Sequence, residues 1–172
     1  EFFTERLDNG MGAKEGGLRT QGKLKRGTDD RPLVTVITVA FNAEKHIEEA
    51  IQSVLSQTYD NVEYIIIDGA STDATLDIVR RYENNIDYWV SEPDSGIYNA
   101  MNKGIGLAQG SIIGLVNADD VIYPEAIKRV VAALKENESA GITFAPVDLA
   151  QEDGSIFGRV RPLTEEKIHN RK

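Results

Sequence analysis

The chain has 172 residues, 41% of them hydrophobic, enough for one domain with a true core and ordinary for a globular protein. A net charge of −9 supplies no basic surface for a nucleic-acid backbone, and the absence of cysteine excludes a disulfide framework and a thiolate metal site. The two isolated histidines, His46 and His169, speak against an imidazole site, no apolar run approaches the ~20 residues of a membrane span, and there is no leader pattern, so the cytoplasm is the default location and peripheral contact with the inner face of a membrane stays compatible.

Residues 1–31 are polar and glycine-rich, with basic charge at Lys23, Lys25 and Arg26. They predict a loosely ordered arm with a short helix at its start. Its basic cluster reads as solvated linker; the alternative is an arm that packs over the domain or touches an anionic ligand or lipid surface. Residues 32–172 form the domain proper. Pro32 ends the arm, and the β-branched run 33–40, LVTVITVA, predicts a strand. Asn42 is placed to cap a helix in which Ile47, Ala50, Ile51, Val54 and Leu55 recur at helical spacing. A turn at 57–61 leads to a second buried strand, 62–68, VEYIIID, ending in an acid. Ser71 or Thr72 is expected to cap the next helix, with Asp73 also favourable at its N-terminus, and Leu76, Val79 and Tyr82 give that helix its apolar stripe.

A short strand at 86–90 and the loop SEPDSG come next. Ile97, Met101, Ile105 and Ala108 then recur on one side of a helical segment interrupted by Gly104 and Gly106, which suggest close approach of a backbone or ligand, or an early helix end. The run 112–116, IIGLV, carries no alternation and predicts a strand buried on both faces, followed by Asn117, Ala118, Asp119 and Asp120. Pro124 opens a helix with Ile127, Val130, Val131 and Leu134. A strand is expected at 142–147, then a hairpin of 147–150 and 156–160 turning at Asp153–Gly154, and the charged tail 164–172 as a helix start. Alternating strands and helices predict an α/β, three-layer α/β/α sandwich on a mostly parallel sheet.

Such a sheet brings the carboxyl ends of the first, second and fourth predicted strands to one edge, where ligands of open α/β folds bind. Those ends carry Val39, Ala40, Phe41 and Asn42; Asp68; and Asn117, Asp119 and Asp120. Paired aspartates at a strand end suit a hard divalent cation that also holds a phosphate; the other reading of the pair is an acidic loop that caps the next helix.

The segments ITVAFNAEKHIEEAIQSVLSQTY, EYIIIDGASTDAT and SEPDSGIYNAMNKGIGLAQGSIIGLVNADD, in this order, resemble the inverting family-two nucleotide-sugar glycosyltransferases of the GT-A fold, and among them those of bacterial surface-polysaccharide assembly. The resemblance covers residues 33–127. It implies that Val39, Ala40, Phe41 and Asn42 border the base and ribose, that Asp68 contacts a uracil-like base, and that Asp94 and Lys103 approach the nucleotide sugar. It sets 117–120 at the family's D-x-D position, with Asn117 as the departure from its first acid and Asp119 and Asp120 left to hold Mg²⁺ or Mn²⁺. Many relatives have two adjacent acids at the base contact; here Ile67 and Gly69 flank Asp68. The implied donor is a nucleoside-diphosphate sugar, a UDP-sugar in the first instance, and the implied acceptor a glycan or a lipid-linked glycan.

Direct displacement also needs a general base for the acceptor hydroxyl. In the family that base lies in an acceptor-binding half beyond the hairpin, so the chain is expected to be the donor-binding part, with the general base unassigned. Glu152, Asp153, Glu165, Glu166 and His169 read as exposed surface charge. The alternative function is a non-catalytic nucleotide-sugar-binding or assembly module. A sugar-nucleotide pyrophosphorylase would want a glycine-rich loop where this chain has AFNAEK. A dinucleotide oxidoreductase fails because GIGLAQG lacks the last glycine of G-x-G-x-x-G and follows no strand.

Overall fold

The computed structural model describes residues 13–160 with the exception of 138, 144 and 152. The expected helices at the start of the arm and in the tail, and Glu152, Glu165, Glu166 and His169, lie outside these residues. The chain divides into two compact units, Glu1–Arg129 and Val130–Lys172.

The first unit is built on a five-stranded sheet. Its strands are β1 (Lys14–Gly16), β2 (Val34–Ala40), β3 (Val62–Asp68), β4 (Tyr88–Ser91) and β5 (Ile112–Asn117), in the order β1-β4-β3-β2-β5. All pairings are parallel except the antiparallel β1–β4 edge. Helices α1 (Ile47–Leu55), α2 (Thr75–Arg81), α3 (Ile97–Leu107) and α4 (Ala126–Glu136) follow β2, β3, β4 and β5. The β-branched runs of β2 and β3 are buried on both faces, as central parallel strands must be when helices cover both sides. On one face Ile37, Val39, Ile65, Ile67 and Val90 pack with Ala100 of α3, joined at the margin by Met101 and Leu107. Gly104 lets α3 approach, since a Cβ there would sit 2.5 Å from Ile37 Cγ2.

Four expectations are corrected. The arm is not loose over its described part: β1 extends the sheet, and Arg19 and Lys25 supply the countercharges of two acids buried in it. Arg19 Nη1 lies 3.4 Å from Glu63 Oε1 and donates to the Leu107 carbonyl at the end of α3, while Lys25 Nζ lies 2.8 Å from Asp87 Oδ2. Lys25 is therefore a buried anchor's partner where a solvated linker was expected. Strand β5 is an edge strand among the described residues, and it is not buried on both faces: Ile113 and Leu115, which share one face, are 42% and 49% exposed. The packing face of α3 is Ala100 with Gly104, with Met101 and Leu107 at its margin; Ile97 and Ile105 point outward, since closest approach selects small residues and not the apolar stripe. Residues 142–143 and 145–146 form no strand.

Helix starts also differ. Asn42 has φ 50° and does not cap α1, whose first residue is Ile47. Its Oδ1 accepts the Thr72 N–H at 2.9 Å, while Asp73, not Ser71 or Thr72, accepts the Thr75 N–H at 3.0 Å at the start of α2. The two loops also bond through their acids: the Glu44 N–H donates to the Asp73 carboxylate, and the Ala74 N–H to the Glu44 carboxylate. The loops after β2 and β3 are thus laced together.

The second unit contains the hairpin of β6 (Val147–Ala150) and β7 (Ile156–Val160). It turns at Gly154 with φ 80°, and Asp153 accepts the Ser155 N–H at 2.8 Å.

Candidate functional site

Parallel strands end together, and the loops that leave them must satisfy their backbone groups locally. At the carboxyl edge of the first unit this leaves a cleft of about 720 Å³. Its walls are the end of β2 with Val39, Ala40, Phe41 and Asn42, the start of α3 with Gly96, Ile97 and Ala100, and the end of β5 with Asn117, Ala118 and Asp119; Gly69, Asp94, Ala43 and His46 complete it. Phe41 lines the cleft and is 67% exposed.

Asp94 is held by its own loop, its Oδ1 accepting the Gly96 N–H at 2.7 Å. Gly96 has φ 114°, which favours glycine, so α3 can begin at Ile97 immediately beyond it. Gly69 gives Asp94 its room: a Cβ at residue 69 would lie 2.8 Å from Asp94 Oδ2 and 3.4 Å from Phe41 Cδ2. At the β5 end Asn117 Nδ2 donates to Asp120 Oδ2 at 3.0 Å, and the Asp120 N–H to the Asn117 carbonyl at 3.1 Å, a turn that presents Asp119 to the cleft.

Sequence comparison decides what this cleft belongs to. The family Glycosyl transferase family 2 matches residues 35–171. The chain belongs to Glycosyl transferase family 2. Among similar proteins of this family, an uncharacterized glycosyltransferase of Haemophilus influenzae is 36% identical over 110 residues, covering 62% of this chain and 34% of that protein. The putative teichuronic acid biosynthesis glycosyltransferase TuaG of Bacillus subtilis is 34% identical over 131 residues, covering 74% and 52%. The chain thus spans about a third of the first of these relatives and about half of the second. Among solved structures, S. aureus TarS 1-349 in complex with UDP-GlcNAc superposes with a TM-score of 0.57 at 29% identity, over 62% of this chain and 32% of that one. The mannosyltransferase PcManGT from Pyrobaculum calidifontis, in complex with GDP-Man and Mn2+, gives 0.57 at 28%, over 68% and 37%. The fold is the GT-A architecture that the motifs imply.

In this family-2 domain, seven of the expected residues meet in the cleft: Val39, Ala40, Phe41, Asn42, Asp94, Asn117 and Asp119. Three do not line it. Asp68 is buried, and its carboxylate accepts from Ser71 Oγ, from the Ser71 N–H at 3.0 Å and from Ser91 Oγ at 2.6 Å, which ties the ends of β3 and β4 together. Lys103 pairs with Glu92 at 2.6 Å. Asp120 turns toward Asn117. The sequence reading missed Gly69, Gly96, His46 and the outermost turn of α3. Gly69 and Gly96 carried a signal in their position beside a strand end and a helix start.

Metal-ligand chemistry can be tested on the donor set. Among the described residues no three Asp, Glu, His or Cys side chains converge on one point. Asp119 with neighbouring Asp120 gives hard oxygen donors, which suit Mg²⁺ or Mn²⁺ when substrate phosphates and water supply the remaining ligands. The residues fit such an ion and do not form a closed protein cage.

Proposed function

We propose that this chain binds a nucleoside-diphosphate sugar, a UDP-sugar in the first instance, for transfer of the sugar with inversion to a glycan or lipid-linked acceptor of bacterial surface-polysaccharide assembly. The observation that carries this reading is the joint placement of Asp94, Asn117 and Asp119 around one cleft at the carboxyl ends of β2 and β5. TarS and PcManGT, similar in fold, are described with UDP-GlcNAc and with GDP-Man and Mn2+.

In this reading Val39–Asn42 receives the base and ribose, with Phe41 as a stacking surface. Asp119, supported by Asp120, would hold Mg²⁺ or Mn²⁺, which supplies Lewis-acid stabilisation of the departing diphosphate. Asn117 orients Asp120 through its amide. Asp94 faces the cleft as a fixed acceptor, suited to hydroxyls of the donor, those of the UDP ribose included. Asp68 acts one layer back: by accepting from Ser71 and Ser91 it sets the loop that carries Gly69.

The test is calorimetric titration of the chain with UDP, with and without Mn²⁺. Binding is expected to strengthen with Mn²⁺ and to lose that metal dependence in Asp119→Ala and Asp120→Ala. Unchanged, metal-independent affinity in both variants overturns the metal assignment, and no UDP binding by the wild-type chain overturns the donor.

A further inference from the structure

Lys103, expected to approach the nucleotide sugar, is not among the residues that line the cleft and grips Glu92, two residues before Asp94. We infer that Glu92 and Lys103 are a positioning pair, which fixes the β4–α3 bridge so that Asp94 is presented to the donor; this rests on the donor reading above.

The bridge is short and fastened at several points. It leaves the sheet where the Glu92 N–H donates to the Asp68 carbonyl at 3.1 Å. It closes on α3 where the Gly96 N–H donates to Asp94 Oδ1. Between these points Pro93 removes a donor and fixes φ. These ties hold the bridge at its two ends, at the sheet and at the N-cap of α3; the Glu92–Lys103 contact adds a third, from the bridge to the second half of α3. Its ammonium springs from α3 one residue before Gly104, the point at which the helix is seated against Ile37, so the pair transfers the position of a rigidly packed element to the loop.

Burial makes the contact effective. The side chains of Lys103 and Glu92 are 21% and 25% exposed, so the pair is screened less than a surface bridge and still escapes the full desolvation cost of a buried one. Pairing also neutralises an acid close in sequence to Asp94, which lines the cleft that is to receive a diphosphate. Without Lys103, Glu92 would be an uncompensated negative charge two residues from Asp94.

The experiment compares UDP affinity, with Mn²⁺ present, in the whole chain and in Lys103→Glu, Glu92→Lys and the double exchange, with thermal melting recorded on each. Each single reversal is expected to weaken binding by roughly tenfold, the scale of coupling between contacting residues, and the exchange to restore it to within about twofold. Glu92→Lys is the sharp case: its added positive charge favours an anion, so weaker binding reports lost position. In an Asp94→Ala background the same reversals should have no further effect, which general loss of structure would not give. Neutral Glu92→Gln and Lys103→Gln serve if a reversal fails to fold, and should each weaken binding.

Three results overturn the inference. Double exchange that binds as weakly as Lys103→Glu would make Lys103 a direct ligand contact. Unchanged affinity in the single variants would make the pair incidental. Equal effects with and without Asp94 would break the link to that residue. A wild-type chain that does not bind UDP instead overturns the donor reading itself, and the inference with it.

Discussion

Gly69→Ala is the most direct perturbation of the cleft. Gly69 carries no positive φ, so alanine is sterically allowed by the backbone, and what decides the outcome is space. The added methyl would stand 2.8 Å from Asp94 Oδ2, so the carboxylate must retreat by about 0.6 Å to reach ordinary contact. The cheapest movement is rotation of the Asp94 side chain, which gives up its bond to the Gly96 N–H, worth about 1 kcal/mol at a partly exposed site. Phe41, at 3.4 Å, needs only a small adjustment. Stability should therefore fall by no more than about 1 kcal/mol, a melting change of roughly 2–4 °C for a chain of this size. Donor binding should fall by about tenfold, or 1.4 kcal/mol, because Asp94 no longer stands where the ligand needs it. Calorimetry with UDP and Mn²⁺ beside thermal melting separates the two effects. Wild-type affinity in Gly69→Ala refutes the placement of Asp94, and a melting loss well above 4 °C refutes the claim that the side chain, not the backbone, yields.

Three further outcomes are expected. Arg19→Ala leaves Glu63, 1% exposed, without its countercharge and should cost about 3 kcal/mol by denaturant titration, with Glu63→Gln in the same chain recovering part of the loss. Gly104→Ala gains helix propensity of about 1 kcal/mol but forces Ile37 aside at a cost of roughly 1–3 kcal/mol, so net destabilisation is expected in the same titration. For Asp73, burial pushes the carboxyl up, but bonds from the Thr75 hydroxyl and from the Thr75 and Glu44 N–H groups outweigh it and hold it below its usual range. Its contribution is then complete above the unfolded carboxylate value near 3.9 and lost as pH falls through the lower folded one; Asp73→Ala should lose about 1 kcal/mol at pH 7 and nothing at a pH below both values.

The central strands were legible because β2 and β3 are buried on both faces, so every side chain along them answers to one requirement. The same logic misled at β5, where an apolar run sits at a sheet edge; unbroken hydrophobicity does not tell which neighbours a strand has. The stripe Ile97, Met101, Ile105 has the period of a buried face, yet Gly104 admits the closest approach, and a missing side chain leaves no mark in a hydrophobic pattern. Strand ends located most of the cleft, because parallel topology alone brings them together. Asp68 and Lys103 do not line the cleft for a different reason: their carboxylate and ammonium are satisfied by Ser71, Ser91 and Glu92, partners that the sequence pattern does not reveal. Arg19 and Lys25 were hidden likewise, since the acids they meet lie far along the chain.

The antiparallel edge made by β1 has a bearing on the order in which the molecule assembles. Glu15 and Tyr88, joined side chain to side chain across that edge, are 73 residues apart, so β1 has no seat until β4 has been made. Closing so long a loop carries an entropy cost that is met only after the parallel core exists to receive it. Until then β4 presents an open row of backbone donors and acceptors to any other nascent strand, and the arrival of Lys14–Gly16 is the step that ends this vulnerability.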